Sequence, residues 1–237
     1  MNLKKIWNER DWTKQARDII GNLEKFPANS NIILVLRHSQ RNEPDIFDDV
    51  QDLNLTKEGR IIANFFGKKL PMNRPVRLFH SKVERCRDTA EEIINGFNMI
   101  GGYGVLRGIC PALYNLGLNR ESFFAELKKY ETIDIFYRWI GGVYSPELWP
   151  PITPYCQKAG QLIWREAKNA PESGVDIHIS HDINVMTLKL GWFGMPPNNN
   201  WVTYLGGFAF TIKADHILLL NYGQLKKIEM PYWWKSE

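Results

Sequence analysis

The sequence predicts an α/β fold built on a mostly parallel sheet, and two observations carry that expectation. Short apolar runs at residues 32–36, 76–79 and 175–180 alternate with amphipathic stretches at 57–70, 84–97 and 155–168. That order favours parallel strands joined by helical crossovers. The runs also empty into polar residues, Arg37-His38-Ser39-Gln40-Arg41 after the first and His181-Asp182-Ile183-Asn184 after the last. In open α/β sheets the carboxyl ends of the strands are where ligands bind.

The elements follow in order. Asp11 to Phe26 has helical spacing, with Trp12, Ala16, Ile19, Ile20 and Leu23 on one side. Residues 32–36 form the first strand, with a β-branched bias. Thr56 is an N-cap for a helix through Leu70, with Ile61, Ile62, Phe65 and Phe66 apolar. Val76 to Phe79 is a second strand, and Glu84 to Phe97 a second amphipathic helix. From 101 to 154, glycine pairs and Pro111, Pro146, Pro150 and Pro151 break the pattern, although Arg120 to Tyr130 is helical in spacing. This middle region reads as an inserted cap within one domain spanning 1–237. Tyr155 to Lys168 is a helix, Val175 to Ser180 a strand and Asn184 to Leu190 a short helix. Phe208–Ile212 and His216–Tyr222 form a closing antiparallel hairpin over Ala214-Asp215.

The composition, 44% hydrophobic and 24% charged, suits a globular domain rather than a disordered chain. A net charge of +4 from dispersed basic residues argues against a nucleic-acid or membrane partner and fits a small anionic substrate. Cys86, Cys110 and Cys156 are odd in number, widely spaced and without a CxxC pair, which points to a reducing compartment and away from disulfides or zinc. The amino terminus lacks an apolar signal segment, so a cytoplasmic location is expected.

Chemistry concentrates at three places. His38 lies between Arg37 and Arg41, a nucleophile or base beside two anion-binding guanidinium groups. In His80-Ser81-Lys82-Val83-Glu84-Arg85, Arg85 falls in a helix's first turn, where its guanidinium and free backbone N–H groups can face an anion together. His181-Asp182 sets an imidazole and a carboxyl side by side after the third strand.

Together these elements resemble the histidine phosphatase superfamily. Arg37-His38 and Arg41 match its Arg-His signature. Ser81, Arg85, Thr89 and Ala90 match Ser-x-x-x-Arg-x-x-x-Thr-Ala. His181-Asp182-Ile183-Asn184 is similar to the His-Asp-x-Asn element of the acid phosphatase and phytase branch. The resemblance implies a phosphoglycerate mutase-like, three-layer α/β/α sandwich with a helical insertion near the site. It implies a phosphomonoesterase that needs no cofactor or metal, with His38 forming a phosphohistidine. Arg37, Arg41, Arg85 and His181 would hold the phosphoryl oxygens, Asp182 would serve as acid and base, and Asn184 would orient Asp182 or the substrate. A phosphoglycerate mutase-like phosphotransferase and a non-catalytic phospholigand-binding protein are the alternatives.

Several residues depart from that pattern or invite blander readings. Ser39 stands where the family has glycine, so its β-carbon could narrow the pocket. Pro44 lies one position later than the branch's proline. Glu121 is a second candidate acid, weaker than Asp182. His80, His178 and His216 read as structural, and Arg87 and the acidic run Glu43, Asp45, Asp48, Asp49 and Asp52 as solvated. Tyr232-Trp233-Trp234 reads as packing across the domain, whereas an exposed tryptophan-rich patch would favour a homodimer.

Overall fold

The computed structural model describes residues 3–43, 53–170, 173–197 and 200–234. Among them, strands β1 (Ile32–Arg37), β2 (Val76–His80), β3 (Gly104–Ile109), β4 (Val175–Ser180), β5 (Gly207–Ile212), β6 (His216–Asn221) and β7 (Gln224–Glu229) form one sheet in the order β3-β2-β4-β1-β5-β6-β7. The helices are α1 (Leu3–Glu9), α2 (Lys14–Ile20), α3 (Lys57–Gly67), α4 (Glu84–Met99), α5 (Arg120–Leu127), α6 (Thr132–Ile140), α7 (Ile152–Lys168) and α8 (Asp182–Phe193).

Alternation along each strand splits the core into two. Leu34 and Leu36 of β1, Leu78 of β2 and Ile177 of β4 face a layer containing α1–α4, with Phe66 and Phe97 fully buried. Ile33 and Val35 of β1 face the other way, toward α6–α8 and their Phe136, Ile163, Met186 and Trp192. The chain is therefore an α/β/α sandwich, and each such large apolar side chain contributes about 1.5–3 kcal/mol through burial.

The sheet is mixed, which corrects the mostly parallel expectation. β3, β2, β4 and β1 run parallel, but β1 pairs antiparallel with β5, and β5, β6 and β7 continue as an antiparallel meander. After α8 the chain returns to the carboxyl end of β1, where the Gly206 carbonyl accepts from the Arg37 N–H at 2.9 Å, so β5 starts there and runs back against β1. The β6–β7 hairpin closes over Tyr222-Gly223, both at positive φ (49° and 73°), the turn geometry that matches strand twist. β7 carries no clear strand pattern in the sequence, because Lys226 and Lys227 interrupt its apolar residues, a composition suited to an exposed edge.

The other differences are local. The helix expected over 11–26 is broken into single turns around α2, ending at Gly21. Gly104–Ile109, read as broken by glycines, pairs with β2 as the opposite edge strand. The Thr56 cap holds, its hydroxyl accepting from the Gly59 N–H at 2.8 Å. α3 stops at Gly67 and packs closely on α4: a β-carbon at Gly67 would strike the Ile93 carbonyl, and one at Gly96 the Asn64 carbonyl. Of the aromatic tail, Trp233 and Trp234 pack as expected, with Trp234 set 4.5 Å from Trp164 and 5.9 Å from Trp192, whereas Tyr232 is exposed. No tryptophan is exposed. Among the described residues, no helix is long and apolar enough to cross a membrane.

Candidate active site

The parallel strands β2, β4 and β1 are neighbours, so their carboxyl ends open on one edge of the sheet. His38 directly follows β1, Ser81 follows β2 to lead into α4, and His181 links β4 to α8. Residues remote along the chain thereby meet in one cleft of about 260 Å³. Its lining includes Arg37, His38, Arg41, Arg85, His181, Asp182 and Asn184, every residue expected at the site.

His38 is buried, and its ring is fixed at both nitrogens. Nδ1 lies 2.7 Å from the Ser39 carbonyl oxygen. Because a carbonyl can only accept, Nδ1 carries the proton and Nε2 keeps its lone pair. That lone pair accepts from Nε of Arg85 at 3.0 Å. Burial, with the charges of His181, Arg37 and Arg85 adding to it, holds the His38 pKa well below the usual imidazole value. The ring is held neutral, with a lone pair that can act as base or nucleophile.

Arg85 also reaches His181, with Nη2 at 3.3 Å from Nδ1. On the ring's far side, Nε2 lies 3.1 Å from the Ser81 hydroxyl. Since arginine only donates, His181 Nδ1 accepts and Nε2 donates to Ser81. Burial and the Arg85 charge push the His181 pKa down to about 3. The two imidazole rings stand edge to face, 5.5 Å between centroids.

Asp182 opens α8, where a carboxylate suits the positive end of the helix dipole. Its Oδ2 pairs with Arg37 Nη2 at 3.2 Å and accepts from the Trp201 indole at 3.4 Å, while Oδ1 accepts from the Ile183 N–H at 2.9 Å. Burial alone would raise this carboxyl's pKa, but Arg37 and the two N–H donors outweigh it, and the pKa is held below the ordinary value. Arg37 is itself placed by the Val202 carbonyl at 3.0 Å and by stacking 4.2 Å above the Tyr204 ring.

The remaining expected residues behave differently. Arg41 lines the cleft and turns back to the Asn42 carbonyl at 2.8 Å and toward Glu43 at 3.6 Å. The Asn184 amide donates to the Tyr114 carbonyl at 2.7 Å and the Tyr155 hydroxyl at 3.1 Å, tying the wall of the cleft to α8. Ser39 does not narrow the pocket: its hydroxyl donates to the Gly59 carbonyl at 2.7 Å, and its N–H to Thr89 at 3.0 Å. Glu121 is exposed and outside the cleft. Of the acidic run, Glu43 accepts from the Tyr204 hydroxyl at 2.9 Å. Pro44, Asp45, Asp48, Asp49 and Asp52 lie outside the described residues.

Sequence reasoning missed Trp201 and Tyr204, which hold the acid and its arginine. They sit in an irregular segment before β5 that has no periodicity or motif to single them out. It also missed the far wall, Tyr114, Leu116, Leu118, Phe123 and Phe124, from the segment between β3 and α7.

Comparison with known proteins bears on the fold. Residues 33–101 match the sequence model of the histidine phosphatase superfamily (branch 1). The fold is the phosphoglycerate mutase-like fold of that class. A phosphoserine phosphatase from Entamoeba histolytica, solved with 3-phosphoglyceric acid, superposes with a TM-score of 0.56 at 17% identity, covering 81% of this chain and 95% of that one. A mycobacterial glucosyl-3-phosphoglycerate phosphatase gives 0.54 at 14% identity, over 84% and 97%. YhfR of Bacillus stearothermophilus gives 0.53 at 15%, over 84% and 96%. No curated protein matches the chain by sequence.

Proposed function

We propose that this protein is a phosphomonoester hydrolase that works through a phosphohistidine on His38 and needs no metal ion. The observation that supports it most is the state of the His38 ring. Nδ1 is anchored to a carbonyl, and Nε2 offers its lone pair into the end of the cleft that holds Arg37, Arg41 and Arg85. A neutral imidazole so placed is competent to attack phosphorus near pH 7.

In this reading the phosphoryl group enters between His38 and Arg85, and its oxygens take the N–H groups of Arg37, Arg41 and Arg85. His181 binds the remaining charge once protonated. Each such donor is worth roughly 2.7–4 kcal/mol in the transition state, by analogy with oxyanion holes. The Nε2–P bond forms as the ester P–O bond breaks, and Asp182 delivers its proton to the departing oxygen. Water then attacks phosphorus while Asp182 takes its proton, and His38 is regenerated.

Asp182 must first acquire a proton, although Arg37 holds its pKa down. A phosphate dianion competes for Arg37, which weakens that hold and adds negative charge nearby, so substrate raises the pKa of its own general acid. Residues 101–154, which supply the far wall of the cleft, form the cap in this reading. The His181-Asp182-Ile183-Asn184 element favours the acid-phosphatase style of acid. The family match ends at residue 101 and does not reach it.

Rapid quenching of a reaction with labelled ester tests the proposal. Acid-labile label on the wild-type chain, none on His38→Ala and undiminished turnover in chelator are expected. Turnover abolished by EDTA and restored by a divalent ion overturns the metal-free reading.

A further inference from the structure

The cleft is two-faced. At one end stand Arg37, His38, Arg41, Arg85, His181 and Asp182. At the other, Tyr114, Leu116, Leu118, Phe123, Phe124 and Ile183 present half-buried apolar surface. We propose that the ester's leaving group is a small flat apolar ring, so that the preferred substrate is an aromatic phosphomonoester. The inference rests on the phosphatase reading above and names its substrate class.

Three observations carry it. The far wall offers ring faces and aliphatic edges: Phe123 sits 5.9 Å from Phe124 and 5.8 Å from Trp149, which braces it from behind. The space suffices, since an apolar cavity of about 150 Å³ already holds one benzene ring. A cleft of about 260 Å³ takes a ring and a phosphoryl group together.

The wall is also wrong for the common polar esters. Among the described lining residues Asp182 is the one carboxylate, and it is paired with Arg37, so the ammonium group of a phosphoamino acid finds no counter-ion. The Asn184 amide N–H groups are engaged by Tyr114 and Tyr155, and the hydroxyls of a sugar would lie mostly against leucine and phenylalanine, with the exposed Asn115 and Arg120 as the polar lining at that end. Arg120 is the rival feature. Its guanidinium lies 5.4 Å above the Phe124 ring, where it could instead take a carboxylate such as that of 3-phosphoglycerate.

The test separates ring preference from leaving-group reactivity. Benzyl phosphate, whose leaving group is an alcohol as in a sugar ester, is compared with glucose 6-phosphate, phosphoserine and 3-phosphoglycerate by kcat/KM in chelator. A preference of at least ten-fold for benzyl phosphate is expected, shrinking at least five-fold in both Phe124→Ala and Leu118→Ala. Equal or better turnover of any of the three polar esters overturns the proposal. Binding of benzylphosphonate against methylphosphonate, read by calorimetry, gives a measure independent of hydrolysis, with ten-fold tighter binding of the benzyl compound expected. If no ester is turned over but the benzyl preference holds, the hydrolase reading fails and the substrate class stands. If binding is equal, the substrate class fails.

Discussion

Nε of Arg85 lies 3.0 Å from Nε2 of His38, while the same guanidinium reaches Nδ1 of His181 at 3.3 Å. One arginine thus covers both imidazoles with different nitrogens. The planar fork is what permits this, and a lysine, a single point charge, cannot reproduce it.

Replacing Arg85 with alanine is therefore expected to lower kcat by about 10²–10³, the range for removal of one preorganised donor. Arg85→Lys is expected to fall within ten-fold of the alanine variant. Steady-state kinetics on both variants checks this, and a lysine variant close to wild type would mean that charge alone matters.

Binding of a tetrahedral dianion is expected to be accompanied by proton uptake by the protein. Burial and Arg85 hold the free His181 at a pKa of about 3, so it is neutral at pH 6. A dianion beside it favours the imidazolium and raises that pKa. Sulfate is a tetrahedral dianion with no proton of its own at pH 6, so calorimetry of sulfate binding there, in two buffers of different ionisation enthalpy, reads the protons taken up by the protein directly. Net uptake is expected, and release would contradict the assignment.

The role of Asp182 predicts a dependence on the leaving group. Asp182→Asn cannot protonate the departing oxygen, so it is expected to cost about 10²–10⁴ with an alkyl phosphate, the usual range for general acid catalysis. With p-nitrophenyl phosphate, whose leaving group needs little protonation, the loss in the first step should be far smaller. Burst and steady-state rates on the two esters separate the outcomes.

His178 predicts an acid sensitivity unrelated to catalysis. It is fully buried, stacked 4.7 Å from Phe79, and neither ring nitrogen has a hydrogen-bond partner. Burial lowers its pKa to about 4. An unfolded chain takes up a proton there near pH 6.5, while the folded chain does not. Stability is therefore lost as pH falls from about 6.5 to 4 and is complete above that window. At pH 5 this single group costs on the order of 2 kcal/mol. His178→Phe should flatten the pH dependence between pH 8 and 5 by that amount in urea unfolding. Comparing slopes cancels any packing change, and an unchanged slope would sink the account.

What the sequence revealed follows from where information is local. The carboxyl ends of β1 and β4 and the first turn of α4 were legible because each couples a strand or helix boundary to reactive residues within a few positions. The antiparallel half of the sheet was only partly legible. β7 alternates too weakly, and the direction of β5 depends on how the chain leaves α8. Ser39 shows the opposite limit: its β-carbon suggested a narrowed pocket, but its hydroxyl turns away to the Gly59 carbonyl, a partner 20 residues on. Tyr204 and Trp201 act only through tertiary contact with Arg37 and Asp182, which no local pattern encodes.

The position of β4 has a consequence for synthesis. β4 lies between β2 and β1, which are both made far earlier and do not pair with each other. A nascent chain emerging from the ribosome holds His38 and Arg85 long before any strand can seat them side by side. Reactivity must therefore switch on late and all at once, when residues 175–182 are threaded into the gap, and no amino-terminal fragment ending before them could display it.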